Sequence, residues 1–216
     1  MLFNERLGRI AMRAVSVMVA VGALAGLASC GGGTYQQQAF VPARLIVFGD
    51  ESSRLEGAQG LKYSINGISA TVTGQIDCTV APIWTQALAN SFGLTFANCN
   101  PNAAFDTNAI DNTTVNGTVA DVVQKVAGFT AGDTFNGDDI VTIWVGMHDI
   151  LNDYQANATG DEGVLLQDML EQGTTLAGVV NSIANAGAKV VLVTVPDQSF
   201  TPFAFKEEQQ IGRAHV

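Results

Sequence analysis

Three short apolar runs, each ending at a glycine or a proline, constrain the fold of this chain most strongly. They are Leu45–Phe48 before Gly49, Ile140–Val145 before Gly146, and Val190–Val195 before Pro196. Continuous apolar runs without alternation are typical of strands that are buried on both faces, as in a parallel sheet. The three runs therefore predict strands of a mostly parallel sheet.

Segments with helical spacing lie between these runs. Apolar residues recur at helical intervals in Ile83–Phe92, in Val119–Val126 after the candidate N-cap Thr118, and in Leu176–Ile183 before Gly187. Strands that alternate with helices predict the α/β class, here a three-layer α/β/α sandwich with helices on both faces of the sheet.

Distinctive polar segments follow the predicted strands directly. They are Gly49–Ser52, Gly146–Asp149 and Pro196–Asp197. In open parallel sheets the ligand crevice lies beyond the carboxyl ends of the strands. The sequence therefore predicts that a functional site, if present, contains these segments.

The first residues predict an export signal, spanning 1–29. Arg6, Arg9 and Arg13 precede an uncharged apolar run, Ala14–Leu27, which is too short to cross a bilayer of about 30 Å as a helix. The run ends in Leu27–Cys30, which resembles a bacterial lipobox with Cys30 as the acylated residue. An ordinary signal peptide with a nearby cysteine remains the alternative.

Residues 30–40 then predict a flexible polar tether. Gly31, by its resemblance to lipoprotein sorting signals, favours the outer membrane, so we expect a lipid-anchored protein of the bacterial envelope that faces the periplasm or the cell surface. At the other end, residues 211–216 resemble the translation of a sequencing-library adapter, and a genuine tail is the alternative. We expect the natural chain to continue beyond this point.

The composition of the body is globular and acidic. Hydrophobic residues make up 47% of the chain and charged residues 14%. Without Arg6, Arg9, Arg13 and Arg213 the ten basic residues become six, and without Glu5 the twenty acidic residues become nineteen. Such a surface repels phosphate backbones, so we expect no nucleic-acid partner.

Two cysteines remain in the body, Cys78 and Cys99. An even pair in an exported protein predicts a disulfide, worth about 3 kcal/mol for a loop of this length. A metal site is the competing interpretation, but neither cysteine has a ligand at metal-binding spacing. The sequence contains no motif that predicts a metal or cofactor.

Three segments resemble the sequence blocks of the SGNH/GDSL hydrolases. Leu45–Asp50 is similar to the first block, whose strand ends in Gly-Asp-Ser, and Val141–Leu151 is similar to the third, which ends in Gly-x-Asn-Asp. Gly187–Asp197 is similar to a later segment with Gly-Ala, a strand and a proline. The resemblance implies that residues 41–210 form an incomplete SGNH domain whose Asp-x-x-His pair lies further along.

The nucleophile position departs from the family pattern. Without a gap, Glu51 follows Asp50 where the family has its nucleophilic serine, and a carboxylate there would oppose the developing oxyanion. Ser52 is the alternative nucleophile if the turn is shifted by one residue. The other interpretation makes Ser52 a turn residue that caps the next helix.

The third block departs at one position. His148 replaces the asparagine that donates a hydrogen bond to the oxyanion, and an imidazole N–H can also donate. A core histidine is the other interpretation. Gly146 and Asp149 match the block. Because the sequence has no Ca²⁺-loop spacing, a solvated loop carboxylate is preferred to a metal ligand as the interpretation of Asp149. No glycine of the second block is evident near 102–105.

Two functions remain open from the sequence. One is a serine esterase or acylhydrolase that uses Ser52 on an acyl ester or an acylated glycan. The other is an anchored relative with weak or no activity, which the replacement at Glu51 favours. The candidate catalytic residues are Asp50, Glu51, Ser52, Gly146, His148 and Asp149.

Overall fold

A computed structural model describes residues 39–100, 107–157 and 162–211. Four strands are described, namely β1 (Arg44–Gly49), β2 (Ala109–Thr113), β3 (Asp139–Trp144) and β4 (Lys189–Val193). All are parallel, in the order β2-β1-β3-β4. The three strands predicted from the apolar runs are confirmed, and β2 was not predicted.

Five α-helices connect or follow the strands within the described residues. They are α1 (Trp84–Ser91), α2 (Val119–Gly132), α3 (Met147–Ala156), α4 (Glu162–Asn185) and α5 (Pro202–Ile211). Thr118 caps α2 as predicted, because its side chain accepts the N–H of Asp121. Gly187 follows α4 with a φ of 104°, as predicted for a glycine past a helix end.

The core lies on both faces of the sheet. Alternate residues of a strand point to opposite faces, so β1 contributes Ile46 and Phe48 to one cluster and Leu45 and Val47 to the other. The first cluster also contains side chains of β3, α2 and α4, and the second contains side chains of α1 and the loops around the disulfide. This arrangement confirms the three-layer α/β/α sandwich.

Helix α1 buries a different face from the predicted one. Thr85, Gln86 and Ala89 are buried, whereas the predicted Ala87 is exposed. The Thr85 hydroxyl donates to the carbonyl of Ser53, and the Gln86 amide donates to the carbonyl of Cys78. Because these polar groups find partners inside, burial here does not follow the apolar periodicity.

The disulfide between Cys78 and Cys99 is present, as the sequence predicted. It fastens the irregular segment between Ser53 and α1 to the turn before β2. Among the described helices, none is long and apolar enough to span a membrane. The leader, Cys30, the segment 102–105 and the tail from 212 onward lie outside the described residues.

Candidate functional site

The parallel register places the ends of three strands side by side. Gly49, the last residue of β1, pairs with Thr113 of β2 and Trp144 of β3. Gly49 has a φ of 133°, and a Cβ there would lie 2.0 Å from the carbonyl oxygen of Trp144. Only glycine therefore allows β1 to turn so close to β3, and this turn presents the residues that follow.

The turn after Gly49 is a 3₁₀ turn, Glu51–Ser53, capped by Asp50. Asp50 Oδ1 accepts the backbone N–H of Ser52 at 2.8 Å. Ser52 is therefore a turn residue, as one interpretation predicted, but the cap of this turn is Asp50 and the next helix begins after Ile83, so Ser52 caps neither. Ser52 is only half-buried, whereas Glu51 and Ser53 are buried.

Glu51 is only 5% exposed, and its carboxylate has two donors. Oε1 lies 2.8 Å from Nε2 of His148, and Oε2 accepts the backbone N–H of Asn116 at 2.8 Å. An ionised carboxylate only accepts hydrogen bonds, so Nε2 carries a hydrogen in this contact. Sequence reasoning selected Glu51 and His148 but did not predict that they bind each other.

Hydrogen bonds decide the ionisation of Glu51. Burial acts to raise its pKa, but hydrogen bonds from its own N–H, from His148 and from Asn116 outweigh burial. The pKa of Glu51 therefore lies below its ordinary value, and the carboxylate is ionised at neutral pH. The site holds a fixed negative charge at the end of β1.

Asn116 is the site residue that sequence reasoning missed. It follows β2 with a positive φ of 55°. The next residue, Gly117, packs against the turn after β1, because a Cβ there would lie 2.9 Å from the carbonyl oxygen of Gly49 and 3.3 Å from the Cα of Asp50. The Asn-Gly dipeptide is a turn signal, and it was the available clue to this loop.

His148 lies in the first turn of α3, directly after β3. Gly146 precedes the helix with a φ of 121°, and a Cβ there would lie 2.8 Å from Cγ2 of Val195. The His148 side chain is 15% exposed, so it borders the site and is not enclosed in the apolar core. Gly146 thus acts through its backbone conformation by directing His148 toward Glu51.

Asp149 contacts a different part of the molecule. It is 7% exposed, and both of its carboxylate oxygens accept the backbone N–H of Val119, at 3.0 and 3.1 Å. Burial raises the pKa of Asp149, although this hydrogen bond acts in the opposite direction. Asp149 therefore joins α3 to the first residue of α2, and the interpretation as a solvated loop carboxylate is wrong.

No family model matches the sequence. Phosphatidylcholine-sterol acyltransferase from Aeromonas hydrophila is 30% identical over 139 residues, which are 62% of this chain and 39% of that protein. The chain thus spans about two fifths of the length of this curated relative. The similarity supports a lipase- or acyltransferase-like hydrolase as the class to which the chain is related.

Proposed function

We propose that this chain is a lipid-anchored envelope protein of the SGNH type that binds an acyl ester and hydrolyses it weakly or not at all. The single observation that carries the proposal is the position of the Glu51 carboxylate. It follows the strand-end Gly-Asp, where the resemblance puts the nucleophilic serine, and it holds the hydrogen bonds of His148 and Asn116.

Electrostatics explain the expected loss of catalysis. Ester hydrolysis needs donors aimed at an oxygen that becomes negative in the transition state, and one such donor is worth about 3 kcal/mol. The ionised Glu51 carboxylate already uses the Nε2–H of His148 and the N–H of Asn116. A second negative oxygen beside it would be repelled and would find these two donors occupied.

An anion-rescue experiment tests this account of Glu51. The variant Glu51→Ala removes the carboxylate and leaves His148 and the Asn116 N–H without their acceptor, so added acetate should bind in its place. We expect millimolar acetate to raise the melting temperature of Glu51→Ala and not that of the wild type. Glu56→Ala, which removes an exposed carboxylate nearby, is the matched control. Equal acetate effects in all three proteins would contradict the proposal.

Hydrolysis itself is tested on the full-length protein with short activated esters. We expect the wild type to be indistinguishable from Ser52→Ala, because the Glu51 carboxylate already occupies the donors that an oxyanion would need.

A serine esterase that uses Ser52 is the second candidate function. The turn geometry favours it, since Ser52 is only half-buried and its backbone N–H binds Asp50, whose pKa burial raises toward that of a general base. Wild-type hydrolysis that disappears in a folded Ser52→Ala variant would establish this esterase.

The anchoring part of the proposal rests on Cys30 and the apolar run before it. We expect Cys30→Ser to remain unprocessed or to appear in the soluble fraction after cell fractionation. One acyl chain binds a membrane only marginally, whereas several chains anchor stably. A Cys30→Ser variant that is processed and membrane-bound like the wild type would show that this cysteine carries no anchor.

A further inference from the structure

An open pocket of about 520 Å³ lies at the carboxyl end of β2. Its lining consists of Arg54, Thr113–Val115, Asp121, Gln124 and Lys125. Thr113–Val115 lead from β2 into the loop of Asn116, and the other lining residues come from the turn after β1 and from α2.

The pocket adjoins the Glu51 site through two short chain connections. Arg54 directly follows the 3₁₀ turn, and its backbone N–H donates to the carbonyl of Glu51 at 3.2 Å. Val115 directly precedes Asn116, whose N–H binds the Glu51 carboxylate. A ligand larger than an acetyl ester at Glu51 would therefore extend toward this pocket.

The Arg54 guanidinium is held firmly at one nitrogen and paired only loosely at another. Its Nη1 donates to the carbonyl of Thr113 at 2.9 Å. Its Nη2 lies 3.9 Å from Oε1 of Glu56, beyond hydrogen-bonding distance, and its Nε has no partner among the described residues. Because the contact with Glu56 is too long for a hydrogen bond, the hydrogens of Nη2 remain able to bind an anion.

Lys125 supplies a second cation on the other wall. It is exposed on α2, four residues after Asp121, and its charge helps to lower the pKa of that carboxyl. Asp121, the acidic residue of the lining, is already engaged, because its carboxylate accepts both the backbone N–H and the hydroxyl of Thr118. These hydrogen bonds lower the pKa of Asp121, so it stays ionised and offsets one of the two cations, which leaves Arg54 and Lys125 in excess by one positive charge among the lining residues.

Cations are scarce in this acidic body, and two of six meet here. Arg44 binds the Asp139 carboxylate, and Lys62 is buried against three backbone carbonyls. Lys189 begins β4 at the opposite end of the strands, and Lys206 lies on α5. Arg54 and Lys125 are thus the pair with free donors beside the candidate site.

We propose that this pocket binds an anionic group, a phosphate or a carboxylate, that belongs to the acyl ester received at Glu51. An arginine fork matches such oxyanions with two parallel hydrogen bonds, and a lysine adds a point charge. The inference rests on the proposed function for the ester part of the ligand. The anion-binding part rests on Arg54 and Lys125 alone.

Calorimetric titration of the full chain with inorganic phosphate at low ionic strength tests the anion site. We expect Lys125→Gln to weaken phosphate binding about tenfold, in line with the loss of one charge-assisted contact. Arg54→Gln should weaken it at least as much. Lys189→Gln makes the same charge change far from the pocket and should bind phosphate like the wild type.

Two results would overturn the anion site. One is the absence of phosphate binding throughout the titration, and the other is equal binding by Lys125→Gln and Lys189→Gln. Lys125 is exposed, so its variant remains informative even if Arg54→Gln fails to fold.

Competition identifies the source of the anion. A short-chain phosphatidic acid below its micelle concentration should displace phosphate, whereas the uncharged ester triacetin should not. Displacement by the phosphatidic acid that is lost in Lys125→Gln supports both the pocket and the ester ligand. If phosphate binding depends on Lys125 but the phosphatidic acid does not displace phosphate, the ligand of this pocket is a free anion. That result contradicts the inference that the anion belongs to an ester. It does not affect the acetate-rescue test of Glu51.

Discussion

Two buried carboxylates at the end of β1 differ in how many hydrogen bonds the fold provides for them. Glu51 has donors on both oxygens, and its pKa is lowered. Asp50 has donors on Oδ1 only, its Oδ2 has no partner among the described residues, and its pKa is raised chiefly by burial. The number of hydrogen bonds that each carboxylate accepts, more than its burial, therefore decides whether its pKa is lowered or raised.

A pH titration of stability tests this contrast at Asp50. Because the folded state raises the pKa of Asp50, the wild type loses stability as the pH rises through that pKa, whereas Asp50→Asn does not titrate. We expect the free energy of unfolding of Asp50→Asn, relative to the wild type, to increase from acid to neutral pH. Urea denaturation at a series of pH values measures this difference.

Asp197→Asn is a control for which the free energy of unfolding should change with pH in the opposite direction. The backbone N–H and hydroxyl of Ser199 lower the pKa of Asp197, so its carboxylate stabilises the fold above the ordinary pKa and ceases to do so in acid. Asp197→Asn should therefore lose stability relative to the wild type as the pH rises. Parallel pH profiles for the two variants would show that the buried position of Asp50 has no effect on its ionisation.

Gly49 allows a second test at the scale of single residues. Gly49→Ala would place a Cβ 2.0 Å from a backbone oxygen at a φ of 133°, so we expect a loss of about 3 kcal/mol or more, or no folded protein. Gly128→Ala in α2 meets nothing within 4 Å and should instead stabilise by about 0.5–1 kcal/mol. Thermal unfolding of both variants provides the comparison, and a mild effect at Gly49 would show that the turn can shift.

At the scale of elements, the segment between the 3₁₀ turn and α1 is held by an unusual buried lysine. Lys62 is 4% exposed, and its ammonium donates to the carbonyls of Cys78, Val80 and Ala81 at 3.2, 2.7 and 2.8 Å. Lys62→Met would leave three carbonyls without this donor, and we expect a loss of about 2–3 kcal/mol. Lys189→Met, at an exposed position, should be close to neutral in the same denaturation experiment.

The disulfide holds the same segment from its other side. We expect thiol titration of the unfolded, unreduced protein to find neither Cys78 nor Cys99 free, and reduction to lower stability by about 3 kcal/mol. A Cys30→Ser background leaves these as the only two cysteines and makes the titration unambiguous. Two reactive thiols in that background would contradict the bridge.

The elements differ in how far the sequence predicts them. Strands β1, β3 and β4 were predicted because their apolar runs are continuous. Strand β2 was missed because it is an edge strand, whose middle residues Ile110–Asn112 are only partly buried and include two polar side chains. The loop after it was missed because Asn116 acts through its backbone N–H, which every residue except proline carries. Composition and spacing contain no signal for such a donor.

At the scale of the whole molecule, the edge of the sheet formed by β4 exposes apolar side chains. Strand β4 has no neighbour on its outer side among the described residues, and Val191 and Leu192 are 41% and 46% exposed. An exposed apolar edge strand is a template for pairing with another chain. The apolar sequence of β4 predicts a buried strand, but the described residues bury it only in part.

Self-association of a protein with residues 39–211 tests the importance of this edge. We expect sedimentation velocity to show concentration-dependent oligomers, which Leu192→Lys reduces by adding charge to the edge. Val123→Lys, at a residue of α2 that is 36% exposed, makes the same kind of change away from the sheet and should leave the oligomers unchanged. Monomers at all concentrations would show that the β4 edge needs no partner.

The backbone of the turn after β1 has a consequence for the history of this protein. Its shape is set by Gly49 and by the Asp50 cap, and neither of these contacts involves the side chain at position 51. Chemistry at this position can therefore change without rebuilding the scaffold around it. An enzyme and a binding protein with this backbone would therefore differ by few substitutions. Evolution can convert one into the other without a change of fold.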